Sequence, residues 1–331
     1  MDRLGLNDAF NRTVNYMRIS VTDRCNMRCL YCMPEEGVPW IPHGDILSYE
    51  EITRIVSATA TLGMRRLRIT GGEPLVRRDL SQLIAMLAAV PGIEDLALST
   101  NAVLLAEHAA ALAAAGLKRV NISLDSLNPA QFARIARRDY LWRALAGIAA
   151  AEEAGLTPIK INCVAMRGHN DDDLAAMAAL TIERQYHVRF IEIMPLHGNA
   201  GWQADWFIPG AEILDRVRVL GELEPCVGPN GNGPARYWRL PGAKGTVGVI
   251  SPLTHTYCES CNRVRLTADG QLRLCLFGDH QIDLRTPLRQ GATAEELGAI
   301  FREAIMGKPE RHHLGLGQAC SNLHALSQIG G

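Results

Sequence analysis

The sequence has little of what marks a membrane, secreted or nucleic-acid-binding protein. It has no apolar run near the ~20 residues that a transmembrane helix needs. Residues 1–16 are polar and lack the apolar stretch of a signal peptide. The net charge is −1 and no block of lysine and arginine occurs, which argues against sequence-independent nucleic-acid binding. We therefore expect a cytoplasmic protein with no membrane partner and no nucleic-acid partner.

Two common nucleotide-binding motifs are also missing. No GxGxxG follows the first predicted strand, which weakens a dinucleotide-binding interpretation, and no GxxxxGK[ST] occurs, which excludes a P-loop. The chain has 331 residues, of which 47% are hydrophobic, enough to bury a substantial core. This length fits one large α/β unit with a smaller appendage.

A repeated pattern of short β-rich runs and alanine- and leucine-rich helices fills the first part of the chain. Ser48 with Glu51 predicts a capping box, and Asn128 before Pro129 predicts a helix N-cap. Strands that alternate with helices pair in parallel through right-handed crossovers. We expect an α/β fold with a partial (β/α)6 TIM-like barrel, although the pattern alone does not exclude an open doubly wound sheet. The predicted strands are 18–22, 66–70, 95–99, 119–123, 159–164 and 188–193.

The alternation of short strands and helices ends after Pro195. Runs 236–240 and 246–251 predict an antiparallel pair around a Pro-Gly turn. Runs 264–267 and 272–277 predict a hairpin, and a helix is expected over about 294–306. We therefore divide the chain into residues 1–195, a partial barrel, and residues 196–331, a smaller C-terminal α+β region that packs on it.

The chain has nine cysteines, and a reducing compartment favours metal ligation or catalysis over disulfides. Cys25, Cys29 and Cys32 crowd into the turn after the first predicted strand, where parallel α/β folds bind ligands. Structural zinc usually takes four ligands, whereas cysteine thiolates hold iron–sulfur clusters. Three cysteines on a four-iron cubane leave one iron open to a small molecule. An iron–sulfur site is favoured, with zinc as the alternative.

A second group, Cys258, Cys261 and Cys275, lies near a predicted hairpin. His255 could complete a zinc site with these three thiols, so zinc remains open here too. The isolated cysteines are more typical of buried small hydrophobic residues than of ligands; they are Cys163, Cys226 and Cys320.

Cations recur in the predicted strands: Arg18, Arg68, Lys160 and Arg189. A charge that points into a barrel costs several kcal/mol unless it is paired. These side chains could pair with Glu73, Asp125 or Glu192, or they could face outward. The functional alternative is a cavity that holds an anionic ligand, because the planar fork of arginine matches phosphate oxygens.

The cysteine motif, with Tyr31 before its last cysteine, resembles the signature of the radical S-adenosylmethionine (SAM) superfamily, and Gly71-Gly72-Glu73-Pro74 resembles its second motif. The resemblance implies a partial barrel whose first [4Fe-4S] cluster binds SAM at the open iron. It also implies reductive cleavage of SAM to a 5′-deoxyadenosyl radical that abstracts hydrogen from a substrate.

Over essentially the whole chain the pattern is similar to the molybdenum cofactor biosynthesis protein A family, the GTP 3′,8-cyclases. The specific parts are Cys258-x-x-Cys261-Asn262-Arg263-Val264-Arg265, Cys275-Leu276-Phe277 and the terminal Gly330-Gly331. This resemblance implies a lyase that converts GTP to 3′,8-cyclo-7,8-dihydro-GTP with SAM and two [4Fe-4S] clusters. It further implies a single-electron reductant, product transfer to the cyclic pyranopterin monophosphate synthase step, a homodimer as one option, and a Gly-Gly tail that reaches the active site.

The resemblance also implies roles for single residues. The first cluster would be held by Cys25, Cys29 and Cys32, and the second by Cys258, Cys261 and Cys275. Catalytic roles would fall to the first three cysteines with Arg263 and Arg265. The SAM contacts would be Tyr31, Gly72, Ser123 and Met194. The GTP contacts would be Arg18, Arg68, Ser99, Lys160, Arg263, Val264 and Arg265.

One departure from the family pattern lies at Ser99-Thr100-Asn101-Ala102, where Thr-Thr-Asn-Gly is usual. Serine keeps the hydroxyl, and Ala102 predicts a turn that avoids the conformation glycine favours. Two other functions stay open: a radical SAM peptide-modifying enzyme with an auxiliary cluster, and a cluster-holding sensor. A sensor predicts a DNA-binding helix pair and a basic face, and the sequence shows neither.

Overall fold

The computed structural model describes residues 5–196, 203–229, 233–314 and 325–330. Its centre is a run of six parallel strands, ordered in space as they are in the chain. The strands are β1 (Tyr16–Ser20), β2 (Arg66–Thr70), β3 (Asp95–Thr100), β4 (Arg119–Ser123), β5 (Lys160–Ala165) and β6 (His187–Glu192). All six predicted strands are present, with bounds displaced by at most two residues.

Helices follow the strands in the order expected for right-handed crossovers. They are α1 (Tyr49–Thr61), α2 (Leu80–Ala88), α3 (Leu105–Ala114), α4 (Pro129–Ala136), α5 (Leu141–Glu153) and α6 (Leu174–Glu183). The capping box of Ser48 and Glu51 and the Asn128 N-cap are both confirmed. The partial (β/α)6 barrel expected from the sequence is therefore the observed architecture.

The C-terminal region extends the same sheet at both edges. At one edge β9 (Thr246–Ile250) joins β6 in parallel and continues into β8 (Arg236–Arg239) and β7 (Glu224–Cys226). At the other edge β10 (Arg263–Leu266) joins β1 in parallel and continues into β11 (Gln271–Arg273) and β12 (Gln281–Asp283). The result is one twelve-stranded sheet, so the C-terminal region shares its main structure with the barrel.

The remaining helices are α7 (Gly210–Val217), α8 (Arg285–Arg289), α9 (Ala294–Met306) and α10 (Leu326–Ile329). Short 3-10 turns occupy His43–Asp45, Pro74–Val76, Ala204–Trp206, Arg218–Leu220 and Cys258–Ser260. Helix α9 has the bounds expected from the sequence and packs on α1. In the part of the chain that the structure describes, no helix is long and apolar enough to cross a membrane.

Two expectations need correction. The predicted strand 272–277 ends at Arg273, so Cys275 lies in the irregular segment after β11. Ala102 lies at φ +63°, in the left-handed region that favours glycine, and not in the conformation we expected of it. A close approach of α5 accompanies this turn, because a Cβ on Gly147 would lie 2.2 Å from the Ala102 carbonyl oxygen.

The isolated cysteines differ in their surroundings. Cys163 is fully buried in the main core, as expected of a small hydrophobic residue. Cys226 is half-buried on β7. Cys320 lies outside the described residues, so its placement stays a prediction. The division of the chain at residue 195 also stays a prediction.

Candidate active site

A cavity of about 250 Å³ opens at the carboxyl ends of the parallel strands. Its wall is made by residues at or just after four of them: Gly72 after β2, Asn101 after β3, Ser123 at the end of β4, and Met194 after β6. Ligands bind at this end of parallel sheets because the loops of neighbouring strands meet there. The cavity is therefore where chemistry is expected.

The loop after β1 brings three thiols to one end of this cavity, which Cys25, Cys29 and Cys32 all line. The Cys32 amide donates to the Cys29 carbonyl at 2.9 Å, and the Met27 amide donates to Cys25 Sγ at 3.4 Å. Burial raises the pKa of Cys25 to about 11 and that of Cys32 to about 12. Such thiols are protonated without a cation beside them, and a bound metal would ionise them.

The residues present fit an iron–sulfur cluster held by three cysteines. Within the described ranges, no three His, Cys, Asp or Glu side chains are placed to hold one metal ion. The three thiols nevertheless line a single cavity, and cysteine thiolates are the ligands that hold iron–sulfur clusters. Asn101 Nδ2 lies 3.9 Å from Cys25 Sγ and donates to Asn26 Oδ1 at 2.7 Å, which fixes one end of the cysteine loop.

Two glycines let the loops after β1 and β2 touch. A Cβ on Gly71 would lie 2.7 Å from the Thr22 carbonyl oxygen, and one on Gly72 would lie 2.3 Å from that of Arg24. Backbone hydrogen bonds join the same loops, from Gly72 to Thr22 at 2.7 Å and from Glu73 to Arg24 at 2.8 Å. Only glycine allows this approach, so the second motif is required by packing against the cysteine loop.

Buried carboxyl groups hold neighbouring loops together. Glu73 accepts from Thr100 Oγ1 at 2.8 Å and from the Asn101 amide at 2.7 Å. Asp125 accepts from Tyr31 Oη and from the Val164 amide, both at 2.8 Å. Burial raises the pKa of Glu73 to about 7 and that of Asp125 to about 6.

A third carboxylate, Glu192 at the end of β6, accepts hydrogen bonds from the Gly210 amide at 2.8 Å and from the Leu253 amide at 3.1 Å. The C-terminal region is thereby tied to the last strand of the barrel. Glu73, Asp125 and Glu192 thus bind amide and hydroxyl donors, and none makes an ion pair among the described residues. The alternative that they neutralise the strand cations is wrong.

Guanidinium groups line the other end of the cavity; they belong to Arg18, Arg68, Arg189, Arg263 and Arg265. Burial and mutual repulsion lower the pKa of Arg18, and burial lowers those of Arg68 and Arg265 to about 10. Among the residues described, Arg68 Nε and Arg263 Nε have no hydrogen-bond partner. Several converging cations with unused donors make a site for an anion that carries several charges.

Asparagines on two strands orient the central arginine of this group. Arg189 Nε donates to Asn162 Oδ1 at 2.9 Å, and its Nη2 donates to Asn121 Oδ1 at 2.8 Å. Asn162 and Arg189 both line the cavity. Neutral partners hold the guanidinium in place without cancelling its charge, so the positive potential is preserved.

The second cysteine group lies beside the arginine end. Its neighbours Tyr257 and Leu276 line the cavity. Cys258, Cys261 and Cys275 are half-buried and close enough to influence one another electrostatically. Burial raises the pKa of Cys258. At Cys261 burial acts in the same direction, but the charges of Lys308 and Arg263 outweigh it and lower the pKa.

The end of the chain enters the same cavity. Leu326 and Ser327 of α10 line it, and Arg265 Nη1 donates a hydrogen bond to the Gly330 carbonyl. Thr70 lies against Gly330 from the end of β2. The last residue, Gly331, is outside the described residues.

Comparisons with known proteins agree with this arrangement. The radical SAM superfamily profile matches residues 19–181, and the Molybdenum Cofactor Synthesis C profile matches residues 186–314. A GTP 3′,8-cyclase from Pelotomaculum thermopropionicum is 50% identical over 98% of this chain and all of its own length. Another from Moorella thermoacetica is 48% identical over 98% of this chain and all of its own length. The chain belongs to the GTP 3′,8-cyclase family.

As a radical SAM protein, this member of the cyclase family uses a [4Fe-4S] cluster and SAM as cofactors. Its fold resembles that of Streptococcus suis SuiB bound to S-adenosylmethionine, with a TM-score of 0.60 and 15% sequence identity. That alignment covers 88% of this chain and 69% of SuiB. The similarity to SuiB concerns the fold alone.

The structure brings together most, but not all, of the predicted site residues of this cyclase-family chain. Tyr31, Gly72, Ser123 and Met194 line the cavity, as do Arg18, Arg68, Ser99, Arg263 and Arg265. Two predicted GTP contacts do not line it. Val264 is buried in the core. Lys160 is buried on β5, where burial and repulsion by Arg189 lower its pKa to about 6.

Sequence reasoning missed several residues of the site. Asn101 was noted only as part of a turn, Arg189 only as one of the strand cations, and Asn121 and Asn162 not at all. The signal was present in part, because Asn121 and Arg189 lie on β4 and β6, which end at or just before the predicted SAM contacts Ser123 and Met194. Strand register then determines which of these side chains meet, since β4 pairs Asn121 with Lys160 and β5 pairs Asn162 with Arg189.

Proposed function

We propose that this protein converts GTP to (8S)-3′,8-cyclo-7,8-dihydroguanosine 5′-triphosphate in molybdenum cofactor biosynthesis. The observation that carries the proposal is a single cavity with two different ends: three thiols after β1 and five guanidinium groups beside the second cysteine group. The thiol end suits a cluster and SAM. The arginine end suits a triphosphate, so a radical formed at one end meets the ribose of a nucleotide anchored at the other.

The first cluster, when bound by Cys25, Cys29 and Cys32, supplies the electron that cleaves SAM to the 5′-deoxyadenosyl radical. The chain's own residues position the reactants. Tyr31, held by Asp125, is fixed beside the cysteine loop, and the Gly72 backbone can approach the SAM amino group because no side chain intervenes. Ser123 and Met194 lie on the wall between the two ends of the cavity.

GTP is then held by five residues of the cavity wall: Arg18, Arg68, Ser99, Arg263 and Arg265. Their cations bind phosphate oxygens strongly because the site is buried and its guanidiniums repel one another until an anion arrives. Lys160 and Val264 belong to the same proposal through the family resemblance. Lys160, whose pKa is lowered to about 6, would gain a proton when the anionic triphosphate binds, and Val264 fixes the strand that carries Arg263 and Arg265.

The proposal also includes a second [4Fe-4S] cluster, which Cys258, Cys261 and Cys275 would hold. Its support is the position of these thiols next to the cavity residues Tyr257 and Leu276, where the guanine of a bound GTP can reach an open iron. The proposal further includes a single-electron reductant, transfer of the product to the cyclic pyranopterin monophosphate synthase step, and a homodimer. Light scattering after size-exclusion chromatography tests the homodimer.

The decisive experiment incubates the anaerobically reconstituted protein with GTP, SAM and dithionite. We expect 5′-deoxyadenosine and 3′,8-cyclo-7,8-dihydro-GTP in equal amounts, identified by mass spectrometry. 5′-Deoxyadenosine without any change in GTP would contradict the substrate and leave the superfamily chemistry intact. Peptide modification under the same conditions would favour the alternative activity.

Metal analysis tests the two clusters separately. Two cubane clusters require about eight iron and eight sulfide atoms per chain. We expect Cys258→Ala to lose about half of the iron, while Cys226→Ala, the matched control at a half-buried cysteine outside both groups, keeps all of it. Zinc in place of iron at the second group, or no loss in Cys258→Ala, would remove the second cluster.

A further inference from the structure

A buried lysine stands behind the second cysteine group. Lys308 follows helix α9 and is 3% exposed, which is rare for a lysine. Its backbone amide donates to the Ile305 carbonyl at 3.1 Å, which continues the last turn of the helix. Nothing in the proposed binding of SAM or GTP uses this residue.

Two donors of the Lys308 ammonium bind backbone carbonyls that flank the second cysteine group. Nζ donates to the Arg263 carbonyl at 2.9 Å and to the Leu274 carbonyl at 2.5 Å. The Arg263 carbonyl lies two residues after Cys261, and the Leu274 carbonyl lies directly before Cys275. The charge of Lys308 also lowers the pKa of Cys261 against the effect of burial, so the ammonium lies near that thiol. The ammonium thus links the two segments that carry two of the thiols.

The charge of Lys308 has no carboxylate counter-ion. No Asp or Glu lies within ion-pair distance of its Nζ in the described ranges of the chain. An isolated ammonium is costly to bury, so a buried one marks the position of a negative group. The negative group nearest to it is the anionic centre that the three thiols are proposed to hold, because Nζ binds the carbonyls next to Cys261 and Cys275.

The chain that carries Lys308 is itself fixed to the cysteine loop. Arg12 Nη2 donates to the Pro309 carbonyl at 2.7 Å, and its Nη1 donates to the carbonyls of Glu310 at 2.7 Å and Cys258 at 2.9 Å. The segment after α9 therefore has little freedom to move away from the thiols. Lys308 is therefore held in place beside these thiols.

We propose that Lys308 is a positioning residue that sets the reduction potential of the second cluster by holding a positive charge beside the segments that carry Cys261 and Cys275. The inference rests on the proposed second cluster. A fixed cation stabilises the reduced cluster, which carries one more negative charge, relative to the oxidised one. Lys308 thereby makes the second cluster easier to reduce.

The test is a redox titration of the full-length reconstituted protein followed by electron paramagnetic resonance. Lys308→Met and Lys308→Gln remove the charge, Lys308→Arg keeps it, and Lys118→Met is a matched control at an exposed lysine. The same titration with Cys25, Cys29 and Cys32 all replaced by alanine identifies which signal belongs to the second cluster. Iron is counted in every variant.

We expect the second-cluster equilibrium in Lys308→Met and Lys308→Gln to shift at least tenfold toward the oxidised form, a fall in potential of about 59 mV for one electron. Lys308→Arg and Lys118→Met should stay near the wild type. The inference is overturned if Gln leaves the potential unchanged, or if Arg shifts it as much as Met does. It is also overturned if the first cluster shifts equally.

The outcomes separate this inference from the proposed function. If Lys308→Met loses about half the iron while Lys308→Arg keeps it, the charge is required to retain the cluster, and the inference stands in a stronger form. If Lys308→Arg loses the same iron, the residue has a packing role only and the inference fails. If Cys258→Ala loses no iron, the proposed second cluster fails first, whatever the Lys308 variants show.

Discussion

Arg12 offers a quantitative test of how the N-terminal segment holds the second cysteine group. Its Nε lies 2.5 Å from Asp8 Oδ2, and the two side chains are 7% and 0% exposed. Its remaining donors reach three carbonyls from distant segments, including that of Cys258. Arg12→Ala would leave a fully buried carboxylate without its cation and three carbonyls without their donor.

Breaking a buried ion pair from one side costs about 3–5 kcal/mol, because the remaining charge stays desolvated. We therefore expect Arg12→Ala to lower the free energy of unfolding by about that amount, measured by urea titration of the full chain with tryptophan fluorescence. Arg12→Lys should recover only part of the loss, because an ammonium cannot reproduce the guanidinium fork. Iron at the second cysteine group should fall in step with stability.

The matched control is Arg218→Ala. Arg218 pairs with Asp215 on the surface, where the side chains are 53% and 66% exposed, so its loss should cost no more than about 0.5 kcal/mol. The double variant Asp8→Ala with Arg12→Ala should cost less than the sum of its single variants, because no charge is left buried. A loss below about 1 kcal/mol in Arg12→Ala, with iron intact, would refute the reasoning.

Three further predictions follow from the site and the sheet. Gly72→Ala should abolish SAM binding in equilibrium dialysis, because its methyl group would lie 2.3 Å from a backbone carbonyl oxygen, whereas Gly44→Ala, with open space around it, should bind normally. Arg265→Met should weaken GTP binding about 10- to 100-fold in calorimetry, the range for losing a charge-assisted contact, and Arg218→Met should not. Burial beside three cations lowers the pKa of His187 to about 4, so its neutral form stabilises the fold fully above about pH 6.5, and this contribution is lost as pH falls toward 4. His187→Asn should therefore flatten the stability profile between pH 7 and 4 in urea titrations, and an unchanged slope would contradict this.

Much of the fold followed from local rules. Strand positions were predictable because buried parallel strands are short β-rich runs between helices, and helix starts because Ser48 and Asn128 carry N-cap chemistry. The left-handed turn at Ala102 was not predictable, because a non-glycine residue adopts that conformation only where surrounding packing compensates for it.

The site was predictable to the extent that it depends on motifs. The cysteine spacing and the resemblance it carries identified the chemistry, since close spacing along the chain guarantees closeness in space. Asn121, Asn162 and Arg189 have no such local signature. They meet because β5 pairs Asn162 with Arg189, while β4 pairs Asn121 with Lys160, two positions before Asn162. The long Arg189 side chain spans that offset to reach both asparagines.

By itself, the sequence determined the type of chemistry and most of the elements, because these depend on motifs and on residues close together in the chain. Only the tertiary structure decided which groups share a cavity and which charges are compensated. It gave Glu73 and Asp125 amide and hydroxyl partners, brought five arginines to one cavity, and placed Lys308 between the segments that carry Cys261 and Cys275. These outcomes depend on contacts between residues tens to hundreds of positions apart, and such contacts are set by sheet register and helix packing.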